Sequence, residues 1–187
     1  MPARRPRPLF LAVAALLTVA VWPGASTSAA GIARRAAAAI AAAAADPRVD
    51  RVVVEKRDHR LTLWSGGAAW KTYRVALGRG GLAPKTRQGD DLVPEGFYRI
   101  DARNAQSAYH LALHISYPNA ADLARARKLR VEPGGDIMIH GLPNHYGWIG
   151  GAHRLHDWTR GCIAVTNDEI EEIWRLVPAG TPVEIRP

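Results

Sequence analysis

From Pro47 onward the chain is cut into short runs of β-branched, aromatic and alternating apolar residues, each closed within a few positions by Gly, Pro, Asn or Asp. Runs this short bury one face at most, so they must pair into a sheet. Residues 51–56 and 60–64, separated by Arg57-Asp58-His59, predict a hairpin, and Gly66-Gly67 turns the chain into a third run over residues 69–77. In that run Trp70, Tyr73 and Val75 are expected to share one face. Residues 78–96, rich in glycine, predict a long surface loop of the kind that borders a site or merely connects strands. Further strands are expected at residues 97–100, 109–115, 137–140, 163–165 and 182–185. Within residues 109–115, Leu111, Leu113 and Ile115 fall on one face and His110 and His114 on the other. Only two segments read as helices. Residues 120–129 follow Asn119 as a cap, and Thr166 with Glu169 makes a capping box ahead of a stripe of Ile170, Ile173 and Trp174. The fold class expected is mainly β, a sandwich or barrel with one or two short helices.

The first 49 residues are of another kind. Arg4, Arg5 and Arg7 precede an uncharged apolar stretch at residues 9–22, and Ser28 and Ala30 have the small-x-small spacing of a cleavage site. Residues 1–30 therefore read as a secretory signal peptide, the apolar run being shorter than the roughly 20 residues of a spanning helix. Residues 31–49 are an alanine-rich linker or loose helix, and residues 50–187 form the domain. Loss of Arg4, Arg5 and Arg7, with no acid lost, lowers the net charge from +8 to +5. The expected location is outside the cytoplasm, in a periplasm or cell wall, where a basic protein meets anionic envelope polymers. No stripe of Lys and Arg interleaved with aromatics is present, so nucleic acid is not an expected partner. A membrane is one only if the signal segment stays uncleaved.

Cys162 is the only cysteine, so no disulfide can form within the chain. A lone thiol that follows Gly161 at a predicted turn reads either as a small buried apolar group or as a nucleophile. His140 ends one predicted strand and Cys162 begins another, so adjacent strands would bring imidazole and sulfur together. Gly141 would let the chain bend and turn its carbonyl onto the second ring nitrogen. The amides around Gly161 and Cys162 are candidate oxyanion donors, and Arg160 a candidate to lower the thiol pKa or hold a substrate carboxylate. A rival reading takes His140, His145, His153, His156 and Cys162 as zinc ligands, but their spacing matches no standard pattern. Neither a metal nor a cofactor is expected.

Several segments together resemble the L,D-transpeptidase (YkuD-like) catalytic domain of bacterial cell-wall enzymes. They are Arg60-Leu61-Thr62-Leu63-Trp64, Pro84-Lys85-Thr86-Arg87-Gln88-Gly89-Asp90, Pro94-Glu95-Gly96-Phe97-Tyr98, Ile115-Ser116-Tyr117-Pro118-Asn119, Ile139-His140-Gly141 and Thr159-Arg160-Gly161-Cys162. The closing segment from Ala164 to Val183 is similar to the murein branch. The resemblance implies a β-sandwich-like domain and a ping-pong acyl transfer on peptidoglycan stem peptides, which serve as donor and acceptor. By the same resemblance Cys162 is the nucleophile, His140 the base, Gly141 the carbonyl that orients the base, and Thr159 and Gly161 the small-residue frame of the turn. Two departures stand out. Arg160 replaces the family's usual histidine, and Ala164 and Val165 stand where Arg or Asn is common. The stretch between His140 and Cys162 is also longer than usual and carries His145, Trp148, His153, Arg154, His156 and Trp158, as a lid or as a surface loop. Water competes with an amine for the acyl-enzyme, so a carboxypeptidase or endopeptidase is the alternative enzyme, and a non-catalytic murein-binding module the alternative of another class.

Overall fold

The computed structural model describes Gly31, Ala33, Arg34 and residues 48–187. The expected signal at residues 1–30 lies outside the described residues, as does most of the linker; Gly31, Ala33 and Arg34 are helical. The unit from Asp46 to Pro187 carries the sheet.

Its elements in chain order are β1 (Arg51–Glu55), β2 (Arg60–Ser65), β3 (Ala68–Arg74), β4 (Gly96–Ser107), β5 (His110–Ile115), α1 (Ala120–Leu129), β6 (Met138–His140), a 3-10 segment (Gly147–Leu155), β7 (Ile163–Ala164), α2 (Asn167–Leu176) and β8 (Pro182–Arg186). The strands form one mixed sheet in the order β3-β2-β1-β8-β4-β5-β6-β7. Two pairs are parallel, β1 with β8 and β6 with β7; the others are antiparallel. Just past β3, at one edge, Ala76 exchanges both main-chain hydrogen bonds with Ala164 of β7 at the other edge, each 2.9 Å. The sheet thus closes on itself, which hides its edges and gives the mainly β, barrel-like class expected.

Inside lie Val52, Val54, Leu61, Leu63, Ile100, Leu113, Ile139 and Ile163, with Ile170 and Ile173 from α2. Both helices begin as their sequences dictate. Asn119 and Asp122 form a reciprocal capping box, as do Thr166 and Glu169. Trp174 packs on the core only in part.

Two strand readings need correction. Trp70 does not share a face with Tyr73 and Val75: it is 40% exposed, while they are buried. The β2–β3 register shifts at this point, with Ala69 opposite Trp64 and Lys71 opposite Leu63, so Trp70 is left without a partner position and period-two alternation does not carry through it. The strand expected at residues 97–100 continues to Ser107. Residues 101–106 are all exposed, so pairing with β5 rather than burial holds them, and hydrophobic alternation gives no sign of that.

The long loop over residues 78–96 is pinned from below. Lys56, fully buried, donates to Ala83 O (2.9 Å), Val93 O (3.1 Å) and Glu95 Oε1 (2.8 Å). Within the loop Lys85 and Asp90 form a buried pair at 2.8 Å, and Asp90 also accepts from the amides of Thr86, Arg87 and Leu92. Removing one partner of such a pair strands the other charge, so this loop is a fixed wall.

Candidate active site

Strands β6 and β7 run parallel with Ile139 opposite Ile163 and His140 opposite Ala164. Ile139 and Ile163 point into the core. Alternation therefore sends His140 to the opposite face, and Cys162, two residues before Ala164, to that same face as its diagonal neighbour. Both side chains line one cavity of about 400 Å³, together with Tyr109, Met138, Trp158 and Arg79. A second cavity of about 270 Å³, with Lys85 and Asp91 in its wall, also opens on Cys162. The thiol stands between the two. Arg79 and Asp91 come from the loop at residues 78–96, which thus borders the site.

The imidazole is held on all sides. Its Nδ1 lies 2.7 Å from Gly141 O, and because a carbonyl can only accept, Nδ1 carries the proton and Nε2 keeps its lone pair. Tyr109 packs on the ring at 4.5 Å between centroids and Trp158 meets it edge-on at 5.8 Å. Burial lowers the His140 pKa to about 4, against the Gly141 carbonyl, which acts in the other direction. The ring is neutral at ordinary pH.

Burial also pushes the Cys162 thiol up. The Met138 amide and the charge of Lys85 oppose that shift, while Asp136 adds to it. The sulfur lies 3.4 Å from Asp136 O. Arg160 is 83% exposed at its side chain and reaches Asp91 Oδ1 only at 3.9 Å, yet it borders both cavities.

Ahead of the cysteine the turn is tied by Thr159, whose Oγ1 donates to Cys162 O (2.7 Å) and accepts from the Gly161 amide (3.2 Å). The Gly161 amide is thereby engaged within the turn. Gly161 has φ +115°, and a Cβ built on it would lie 2.7 Å from Leu92 O. Gly161→Ala is expected to cost about 1–3 kcal/mol and to shift the thiol, lowering both the melting temperature and turnover. A thermal melt and a rate measurement check this; parent-like values in both would contradict it.

The segment between His140 and Cys162 folds as two short 3-10 turns meeting at Gly150. Trp148 and Leu155 face outward at 81% and 77% exposure, whereas His153 is buried and receives Trp158 Nε1 at 3.4 Å. Its carboxyl end thus walls the cavity, while its tip stands clear in solvent. Among the described residues no group of three or more His, Cys, Asp or Glu is arranged to hold a metal ion, so the zinc-type set is not assembled. Sequence reasoning passed over Tyr109, Met138 and Asn167. Tyr109 reaches the imidazole from the β4–β5 turn, and Asn167 touches the His140-Gly141 bend from α2. No local pattern marks either.

Residues 49–185 match the YkuD family, the L,D-transpeptidase catalytic domain. The putative L,D-transpeptidase YafK of Escherichia coli (strain K12) is 35% identical over 108 residues, covering 57% of this chain and 36% of YafK. The putative L,D-transpeptidase YqjB of Bacillus subtilis (strain 168) is 27% identical over 139 residues, 72% of this chain and 69% of YqjB. Among solved structures, the helical cell shape determining protein Pgp2 of Campylobacter jejuni superposes with a TM-score of 0.58 at 27% identity, covering 75% of this chain and 48% of Pgp2. The chain thus spans about a third of the length of YafK and about half of Pgp2.

Proposed function

Because the chain belongs to the L,D-transpeptidase (YkuD) catalytic-domain family, we propose that it is a cell-wall cysteine acyltransferase working on peptidoglycan stem peptides through a thioester on Cys162. The observation that carries this reading is the placement of Cys162 and His140 on one face of neighbouring strands, in one cavity, with Gly141 O on the imidazole.

As the carbonyl of the L-centre of diaminopimelate nears the sulfur, His140 Nε2 takes the thiol proton and sulfur bonds to the carbonyl carbon. With the Gly161 amide held by Thr159 Oγ1, contrary to its expected part as an oxyanion donor, the Cys162 main-chain amide is the donor that meets the developing oxyanion. The bond to D-alanine then breaks, and its amine leaves with the proton from His140. In the second half an acceptor amine attacks the thioester, its proton passes to His140, and the thiol is restored. Arg160, at the junction of both cavities, is positioned for a substrate carboxylate. Tyr109 and Trp158 cover the imidazole, which is 4% exposed.

Residues 1–30 as a signal and 31–49 as an alanine-rich linker complete the reading, with the domain at work in the periplasm or wall. A part in remodelling the wall, and through it cell shape, follows; Pgp2 is named as a helical cell shape determining protein. Incubating the full chain with disaccharide tetrapeptide, with and without a stem bearing a free amine, tests it. The expected results are a Cys162 adduct lacking D-alanine and an amine-dependent crosslinked product. Shortened stems with no crosslink would instead identify a hydrolase, and the absence of any adduct would defeat the thioester itself.

A further inference from the structure

The Gly141-Leu142 peptide is held from both ends. Its carbonyl accepts from His140 Nδ1 at 2.7 Å, and its N–H donates to Asn167 Oδ1 at 2.9 Å. A trans peptide is planar with N–H and C=O opposed, so the partner of one fixes the direction of the other. Glycine at 141 makes this second anchor necessary. A Cβ there would lie 2.8 Å from Asn167 Oδ1, 2.9 Å from Ile170 Cγ2 and 3.1 Å from Tyr109 O, so no side chain fits. Without one, the following peptide flips at little steric cost. The preceding peptide has its own hold, since the Gly141 amide is shared between Tyr109 O (3.1 Å) and Leu111 O (3.2 Å). Apart from the imidazole itself, the hydrogen bond that restrains the peptide whose carbonyl faces the ring is, among the described residues, the one to Asn167.

Asn167 is itself well placed for this. It is the first residue of α2, directly after the Thr166 cap, and the capping box fixes where that helix begins. Its amide group lies between two glycines: a Cβ on Gly147 would come within 2.6 Å of Asn167 Nδ2. Glu169 of the capping box also pairs with Arg154 of the 3-10 segment, which ties the start of α2 to the stretch between His140 and Cys162.

We propose that Asn167 is a positioning residue for the site: its Oδ1 locks the Gly141-Leu142 peptide, so that the Gly141 carbonyl keeps His140 in the Nδ1-protonated tautomer with Nε2 open. Its catalytic meaning rests on the base role proposed for His140, whereas the tautomer itself is measured without any reaction. Nitrogen-15 NMR of the imidazole in the full chain is the test. In the parent protein Nδ1 carries the proton, and an Nε2-protonated ring there would by itself overturn the proposal, with no variant needed.

Asn167→Leu keeps the bulk and removes the acceptor; it is expected to mix the two tautomers and lower turnover about 100-fold, the scale of a displaced catalytic group. Asn167→Asp keeps an oxygen for the Leu142 amide and is expected to restore the parent tautomer with turnover within about threefold, since the positioning contact survives. A purely packing role predicts the reverse: a lowered melting temperature in both variants and one unchanged tautomer. A single Nδ1-protonated form in Asn167→Leu, or a mixed population in Asn167→Asp, overturns the lock. Mixed tautomers in Asn167→Leu at full turnover would uphold the lock and reject the base role of His140.

Discussion

Cys162→Ala is expected to abolish adduct formation and to lower turnover on the order of 10⁶-fold, the scale seen when a covalent nucleophile is removed. The physical reason lies in the route rather than in binding. Without sulfur there is no thioester, and water or amine must attack an unactivated amide directly. The cavity walls, Arg160 and the turn tied by Thr159 remain, so substrate binding should survive the change. The fold should survive as well. The side chain lies at the cavity surface, where sulfur makes a long hydrogen bond to Asp136 O and faces the Met138 amide. Intact-protein mass spectrometry with a tetrapeptide stem, beside a thermal melt, checks both halves. If Cys162→Ala processes peptidoglycan as the parent does, acyl-enzyme chemistry is ruled out and a binding module becomes the better description.

His140→Gln is expected to reduce turnover by about 10²- to 10⁴-fold, the usual contribution of a general base. It should also change the pH profile in a way that loss of packing would not. With the imidazole pKa lowered to about 4, kcat/KM in the parent should fall on the acid side as pH drops through about 4, where Nε2 takes a proton and can no longer accept one. That limb should vanish in the variant. On the alkaline side, burial raises the thiol, so alkylation of free Cys162 by iodoacetamide should reach half its limiting rate above the ordinary thiol range. Imidazole and thiol are both neutral at rest, and the proton moves as the carbonyl arrives. Alkylation already at its limit near pH 5 would mean a standing thiolate–imidazolium pair and would refute this account. The same shift bears on stability. Between pH 6.5 and about 4 the unfolded chain binds a proton that folded His140 refuses, so stability falls as pH falls through that window; His153, also lowered to about 4 chiefly by burial, adds to the slope.

Much of this fold can be read from local pattern. Both capping boxes are three-residue relations, and α1 and α2 begin where Asn119 and Thr166 place them. Most strands stand where alternation and turn residues put them, because burial of one face imposes period two. The failures share a cause. Residues 101–107 are polar but for Ala102 and Ala105, and their strand exists because β5 runs beside them. Trp70 is aromatic, yet its position along β3 turns it to solvent.

The site divides along the same line. His140-Gly141 and Thr159-Arg160-Gly161-Cys162 could be picked out in the chain, since a bend beside a base and a turn beside a thiol are contacts between immediate neighbours. Sequence alone therefore determined the chemical types present, the short turns that hold them and the mainly β class. That Cys162 and His140 share a face was decided by the β6–β7 register, and a slip of one residue would turn the thiol into the core. Tyr109 and Trp158 around the imidazole, the Leu92 carbonyl against Gly161 and the Asn167 lock all join segments far apart in the chain. Such contacts arise from sheet closure and helix docking, which depend on every strand at once, and so only the tertiary structure could decide them.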